Sequence, residues 1–202
     1  MNESLSIPEG PATGITSLLQ RAVGLDRHAY ARLQQVEDCV NVYVTTPFGV
    51  VASRRVRGEA SRDGAVVLAT DLLARGEGKP HDASWAGALP PLTGFKLIDE
   101  IPVGVASDLA EKGRSLARQF SGPMGPPASL LDQKVMVVSS ADKSVEISMR
   151  MIFACTSLGF IPPATAPAHI PRHLRVSSTG RWVRIDAPYG TVYESQGLSL
   201  LP

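Results

Sequence analysis

The chain has 202 residues, 44% of them hydrophobic and 19% charged, so it can bury a core and is not a disordered segment. Twenty basic side chains against nineteen acidic ones leave a net charge of +1, which excludes a highly basic nucleic-acid coat and a strongly acidic solvating tail. Eighteen glycines and sixteen prolines make it rich in turns, and two cysteines, Cys39 and Cys155, are too few for a disulfide scaffold or an all-cysteine metal site.

Met1 to Gly10 has no basic stretch followed by an apolar run, so no secretory leader is expected there. Next, Ile15, Leu18, Leu19, Ala22 and Val23 recur on one helical face, with Thr13 as the expected N-cap and Gly24 as the expected stop. Asp26 is placed to cap a second short helix carrying Tyr30 and Leu33. After Asp38 the period changes to two. Val40, Val42 and Val44 alternate with polar neighbours, Pro47-Phe48-Gly49 turns, Val50 to Glu59 returns, and Ala65 to Thr70 follows the Asp63-Gly64 turn. These runs predict a three-stranded antiparallel meander. Ala74 to Gly94, with its glycines and prolines, reads as a loop or linker pinned to a core by Trp85.

Composition shifts here. Residues 1–100 carry ten basic and twelve acidic side chains, and residues 101–202 carry ten and seven. The expected domains are therefore 1–91 and 92–202. The second opens with a strand, Phe95 to Ile98, then a helix from about Gly104 to Phe120. Its expected apolar stripe is Val105, Leu109, Leu116 and Phe120, with Ala106, Ala110 and Ala117 between and Ser121-Gly122-Pro123 ending it. A helical turn at Ala128 to Leu131 precedes a hairpin, Val135 to Ser139 and Val145 to Ile147. Met149 to Phe160 is apolar on nearly all sides and predicts a buried helix. The longest nearly apolar stretch, Met151 to Pro163, is too short for the roughly 20 residues that span a bilayer. Strands Leu174 to Ser178 and Trp182 to Ala187 form a hairpin, and a last strand ends near Tyr193. The expected fold class is α+β with antiparallel sheets, in the cytoplasm with reduced thiols and without a membrane partner.

The chemistry-bearing motifs are sparse. No G-x-S-x-G elbow is present, and none of His28, His81, His169 or His173 has a nucleophile context. Pro171 breaks the His169-x-x-x-His173 spacing that a helical metal site requires, so no metal is expected. Neither Gly76-x-Gly78 nor Gly122-x-x-Gly125 extends to a phosphate-binding loop, and no cofactor is expected. No catalytic residue is assigned.

Two arginine groups remain as candidate binding residues. Arg54, in the meander, alternates with Val50, Ala52 and Val56, so it either snorkels at the sheet margin or meets a buried partner. Arg172, Arg175, Arg181 and Arg184 surround Trp182, with no acid before Asp186. Such a patch attracts anionic partners. A winged-helix reading fails because Met149 to Phe160 lacks the polar side chains that reach base edges.

The segments Pro47-Phe48-Gly49-Val50-Val51-Ala52-Ser53-Arg54 and Gly180-Arg181-Trp182-Val183-Arg184-Ile185-Asp186-Ala187-Pro188-Tyr189-Gly190 resemble an actinobacterial protein family of unknown function. The resemblance implies a β-rich first half and a second half ending in a basic hairpin, and it transfers no activity. The leading expectation is a non-catalytic interaction or regulatory module acting through protein contacts. The alternatives are a nucleic-acid-binding protein using the arginine hairpin, and an enzyme or small-ligand binder with a pocket between the halves near Trp85 and Arg54.

Overall fold

The computed structural model describes residues 1–8, 13–120 and 127–196, with Thr13 and Phe120 described by backbone alone. The fold is α+β, and the chain divides into two units, Met1–Leu89 and Pro90–Pro202.

The first unit runs β1 (Glu3–Ser6), α1 (Thr13–Leu25), β2 (Tyr30–Val36), β3 (Cys39–Thr45), β4 (Val51–Arg57), β5 (Glu59–Ala60), β6 (Val66–Leu68), α2 (Ala69–Arg75) and β7 (Glu77–Gly78). Strands β2, β3 and β4 pair antiparallel, and the registers Leu33↔Val42↔Arg54 and Ala31↔Val44↔Ala52 put these residues on one face. Helix α1 covers that face with Ile15, Leu18, Leu19 and Ala22, all at most 5% exposed. The opposite face is polar, with Tyr43 and Asn41 donating to Gln34 Oε1 at 3.1 and 3.3 Å and Arg55 donating to Asn41 Oδ1 at 2.7 Å.

Four sequence expectations give way here. Tyr30 and Leu33 lie in β2, not in a helix, because Asp26 Oδ1 accepts the His28 amide and tightens a turn that delivers the chain to the β3 ladder. Gly24 lies inside α1, one residue before its end. The segment after Asp63-Gly64 pairs with β2 rather than β4, giving the order β6-β2-β3-β4. It also leaves the strand early. Ala69 begins α2, which ends at Gly76 in the left-handed region (φ 71°), its amide bonded to the Leu72 carbonyl. The segment read as a loop therefore holds the end of α2, β7 and a 3-10 turn at Asp82–Ser84. Trp85, 8% exposed, does anchor it.

The N-terminal segment forms β1, unforeseen in the sequence, which lies between β5 and β7. Gly58 makes room for it, since a Cβ there would collide with the Ser6 carbonyl oxygen.

The second unit runs β8 (Lys96–Pro102), α3 (Val103–Phe120), α4 (Ala128–Leu131), β9 (Lys134–Ser139), β10 (Ser144–Ser148), α5 (Met149–Ser157), β11 (His173–Thr179), β12 (Trp182–Ala187) and β13 (Gly190–Ser195). Strands β13-β12-β11-β8 form an antiparallel array, and β9 and β10 form a separate hairpin. Leu174, Val176, Val183, Ile185 and Val192 make the buried face of the array, none more than 1% exposed. Helix α5 is the core element that its all-round apolarity predicts, with Met149 and Met151 through Cys155 buried.

Helix α3 overturns its expected stripe. Ala106, Ala110, Gly113 and Ala117 face inward, while Val105 and Leu116 are 41% and 40% exposed. The small residues win because α5 approaches closely. A Cβ on Gly113 would stand 2.8 Å from Met149 Cε and Phe153 Cε1. Phe120 and Ser121-Gly122-Pro123, expected to finish the stripe and the helix, fall outside the described side chains and residues respectively. Among the described residues, no helix is long and apolar enough to cross a membrane.

Candidate functional site

The strand registers decide which arginines can act together. On the face of the second-unit array opposite its core, Glu100, Arg175, Asp186 and Thr191 form one row across β8, β11, β12 and β13. Leu97, Ser177, Arg184 and Tyr193 form the next row, and Thr179, Trp182 and Ser195 the third. Arg175, Trp182 and Arg184 thus share one face, because alternate residues of a strand point the same way.

Two acids meet these arginines, Glu100 from the neighbouring strand β8 and Asp186 from β12 itself. Glu100 Oε1 lies 4.0 Å from Arg175 Nε and 3.6 Å from His173 Nε2. Asp186 Oδ2 lies 2.9 Å from Arg184 Nε, and its other oxygen accepts the Thr191 hydroxyl at 3.0 Å. Arg184 is also structural: its guanidinium sits 4.4 Å from the centre of the Phe95 ring, which meets Tyr193 edge-on at 6.1 Å. Arg172 leaves the group, donating to the carbonyls of Pro163, Ala164 and Ala166 and so holding the proline-rich connection in shape. Arg181 is exposed at the β11–β12 turn, where its carbonyl accepts the Gln196 amide.

What emerges is a mixed surface of Phe95, Leu97, Trp182, Arg184 and Tyr193, half-buried apart from Leu97, which is 47% exposed. Phe95, Leu97, Tyr193 and Glu100 were missed by the sequence reading. Tyr193 was within reach, since extending the hairpin register places it opposite Arg184. The β8 residues are over seventy positions away and carry no local signal.

Arg54 lies elsewhere, on the apolar face of the first unit beneath α1. It shares a row with Leu33 and Val42 and donates to the Gly14 carbonyl at 2.9 Å. That hydrogen bond goes to helix backbone. The first unit also has an open groove of about 640 Å3 along Glu37, Asp38, Arg57–Asp63 and Ser6. Gln35 organises its floor, donating to the carbonyls of Glu37, Cys39 and Gly58 and accepting the Ala60 amide. At its margin Arg62 bridges Glu3 and Asp82 at 2.8 Å each, and these hydrogen bonds hold both carboxyls below their ordinary range.

The cysteines are separated by unit and by environment. Burial pushes the Cys155 thiol up to about 12, so it stays protonated. Cys39 is raised by burial and by its contact with Asp38, whose Oδ1 lies 3.5 Å from its sulfur. Among the described residues, no three His, Cys, Asp or Glu side chains are grouped to hold a metal ion.

Solved structures share this fold. The DNA polymerase III β subunit of Thermotoga maritima matches with TM-score 0.56 and 8% identity over 100% of this chain and 66% of that one. The DNA polymerase sliding clamp of Pseudomonas aeruginosa with ligand matches with TM-score 0.56 and 11% identity, over 100% and 66%. The Helicobacter pylori beta clamp bound to DNA ligase peptide matches with TM-score 0.53 and 11% identity, over 100% and 68%. The chain spans about two thirds of the length of these clamps, and at such identities the likeness is one of fold. No curated protein matches the sequence. Residues 1–90 match the model of a domain of unknown function, DUF8010. Residues 90–199 match that of a second domain of unknown function, DUF8185, and the chain belongs to this family.

Proposed function

We propose that this protein is a non-catalytic scaffold that works by holding other proteins, and that the mixed aromatic and arginine face of the second unit is its contact surface. The observation that carries the reading is the fold, shared over the full length of the chain with sliding clamps, one of them bound to a DNA ligase peptide. The face supports it by composition. Trp, Tyr, Phe and Arg are the side chains enriched where proteins bind one another, and here Phe95, Tyr193 and Arg184 are already ordered by stacking and an ion pair, so little of their entropy is lost on docking.

The same geometry weighs against nucleic acid as the main partner. Glu100 and Asp186 beside Arg175 and Arg184 reduce the number of phosphates this face can neutralise. The test is affinity capture by the full chain from nuclease-treated extract of its source cells, repeated with Leu97→Glu, a change at an exposed position that preserves folding. The expected result is a discrete protein retained by the native chain and lost with the variant. Partners that vanish on nuclease treatment would transfer the function to nucleic acid, and a set unaffected by Leu97→Glu would remove this face from the reading.

A further inference from the structure

The second unit contains a cavity of about 380 Å3 at one end of its β8–β11 strand pair. Three chain segments line it: the start of β8 (Gly94, Lys96–Ile98), the β9–β10 turn (Ser140, Asp142, Lys143) and the end of β11 with its turn (Ser178–Gly180). Lys96 and Ser178 are cross-strand partners, so their side chains stand next to one another on the face that lines the cavity. Neither Lys96 nor Lys143 has an ion-pair partner among the described residues.

Ser178 is the informative residue. It is 4% exposed, and its hydroxyl has no hydrogen-bond partner among the described residues. Buried hydroxyls are otherwise paired, because an unmade bond leaves the desolvation cost uncompensated. Ser178 belongs to the lining of the cavity beside its cross-strand partner Lys96, and Lys143 lines it from the β9–β10 turn. One acceptor with several oxygens would satisfy all three. Gly94, also in the lining, is in the left-handed region (φ 87°), with Thr179 Oγ1 only 3.3 Å from where a Cβ would stand.

We propose that this cavity binds a phosphate group carried by a small molecule. Lys96 and Lys143 supply the charge, and Ser178 donates the hydrogen bond that orients the oxyanion. The cavity is several times larger than one tetrahedral oxyanion, which leaves room for the organic part of a phosphomonoester. Asp142, in the same lining, lowers the positive field and is set to meet a hydroxyl of that organic part rather than the phosphate. The cavity shares Leu97 and Thr179 with the protein-contact face, but the proposal rests on Lys96, Lys143 and Ser178 and stands whether or not that face binds proteins.

The test is calorimetric titration of the full chain with ribose 5-phosphate, ribose and inorganic phosphate. Ribose 5-phosphate should bind and ribose should not. Inorganic phosphate binding equally well would identify free phosphate as the ligand, and weaker binding would identify the ester. Lys96→Gln and Ser178→Ala should each weaken binding about tenfold. Asp142→Asn should strengthen inorganic phosphate binding, since it removes the opposing charge. Ser178→Ala should melt no lower than the native chain in the absence of ligand, because it deletes a buried hydroxyl that nothing pairs. Silence toward both phosphates at about 10 mM, or binding unchanged in a folded Lys96→Gln variant, would overturn the proposal.

Discussion

At the residue scale, two arginines three positions apart in sequence have opposite roles. Arg181 is exposed at a turn, while Arg184 stacks on Phe95 and pairs with Asp186. Arg184→Glu would set a carboxylate beside Asp186 and uncover the ring, so urea denaturation should show a loss of about 1–3 kcal/mol. Arg181→Glu should stay within about 0.5 kcal/mol of the native chain. The sequence reading grouped these residues as one basic cluster, although their opposite parity keeps them off a common face of a regular strand. The stacking partner that makes Arg184 structural, Phe95, is beyond the reach of any hairpin pattern. Cys155 is the opposite case, legible at once as a core thiol in an apolar helix. Its proton is retained up to about 12 in the native state against an ordinary value of 9.0. The unfolded chain ionises it from about pH 9, so native stability is unaffected below that and falls as pH rises toward 12, by at most about 1.4 kcal/mol per pH unit. Thiol labelling of the folded protein should be slow and should accelerate on unfolding, and Cys155→Ala should flatten the alkaline slope of stability.

The element scale separates what period alone reveals from what close packing decides. Helix α5 was readable because it is apolar on every side, and a helix of that kind has to be enclosed. Phe153, 4% exposed, should cost about 3–5 kcal/mol when truncated to alanine. Helix α3 was located correctly but turned the wrong way. Its large apolar residues suggested the inward face, yet the partner α5 brings Met149 and Phe153 so near that only Ala106, Ala110, Gly113 and Ala117 fit between the backbones. Gly113→Ala should therefore cost about 1–3 kcal/mol by overpacking. It should cost less in a Phe153→Ala background, where one of the two clashes is gone and the space left by the ring lets the flexible Met149 side chain move aside. A double-mutant cycle by chemical denaturation reads this directly. Strand β2 failed as an expectation for a related reason: Asp26 is an equally good cap for a helix and for a turn, and the β3 ladder decides between them.

At the scale of the whole molecule, the β3–β4 pair, the second-unit hairpins and the antiparallel α+β class could be read from alternation and turn residues, while the pairing of β6 with β2 and the closing of the first unit by β1 could not. β1 is short, polar and only partly buried, and its identity as a strand comes entirely from the edges of β5 and β7. Arg62 fastens it through Glu3 and ties Asp82 on the other side. Both carboxyls are held below their ordinary values of 4.5 and 3.8. The stabilisation they contribute is therefore complete above those values and is lost as pH falls through and below them. Acid titration followed by amide exchange should release β1 before the β2–β4 ladder, and Arg62→Ala should abolish the difference between neutral and mildly acidic conditions. The position of β1 also bears on synthesis. Its partners are Ala60 and Gly78, and Asn2 bonds to Glu77, 75 positions away. During synthesis β1 therefore stays unpaired until β5 and β7, at the far end of the first unit, have followed it out of the ribosome. The polar Glu3-Ser4-Leu5-Ser6 sequence suits that wait, since a strand with one apolar residue offers little for a stray edge to capture. In pulse-labelled exchange during refolding, the β1 amides should be among the last in the first unit to gain protection.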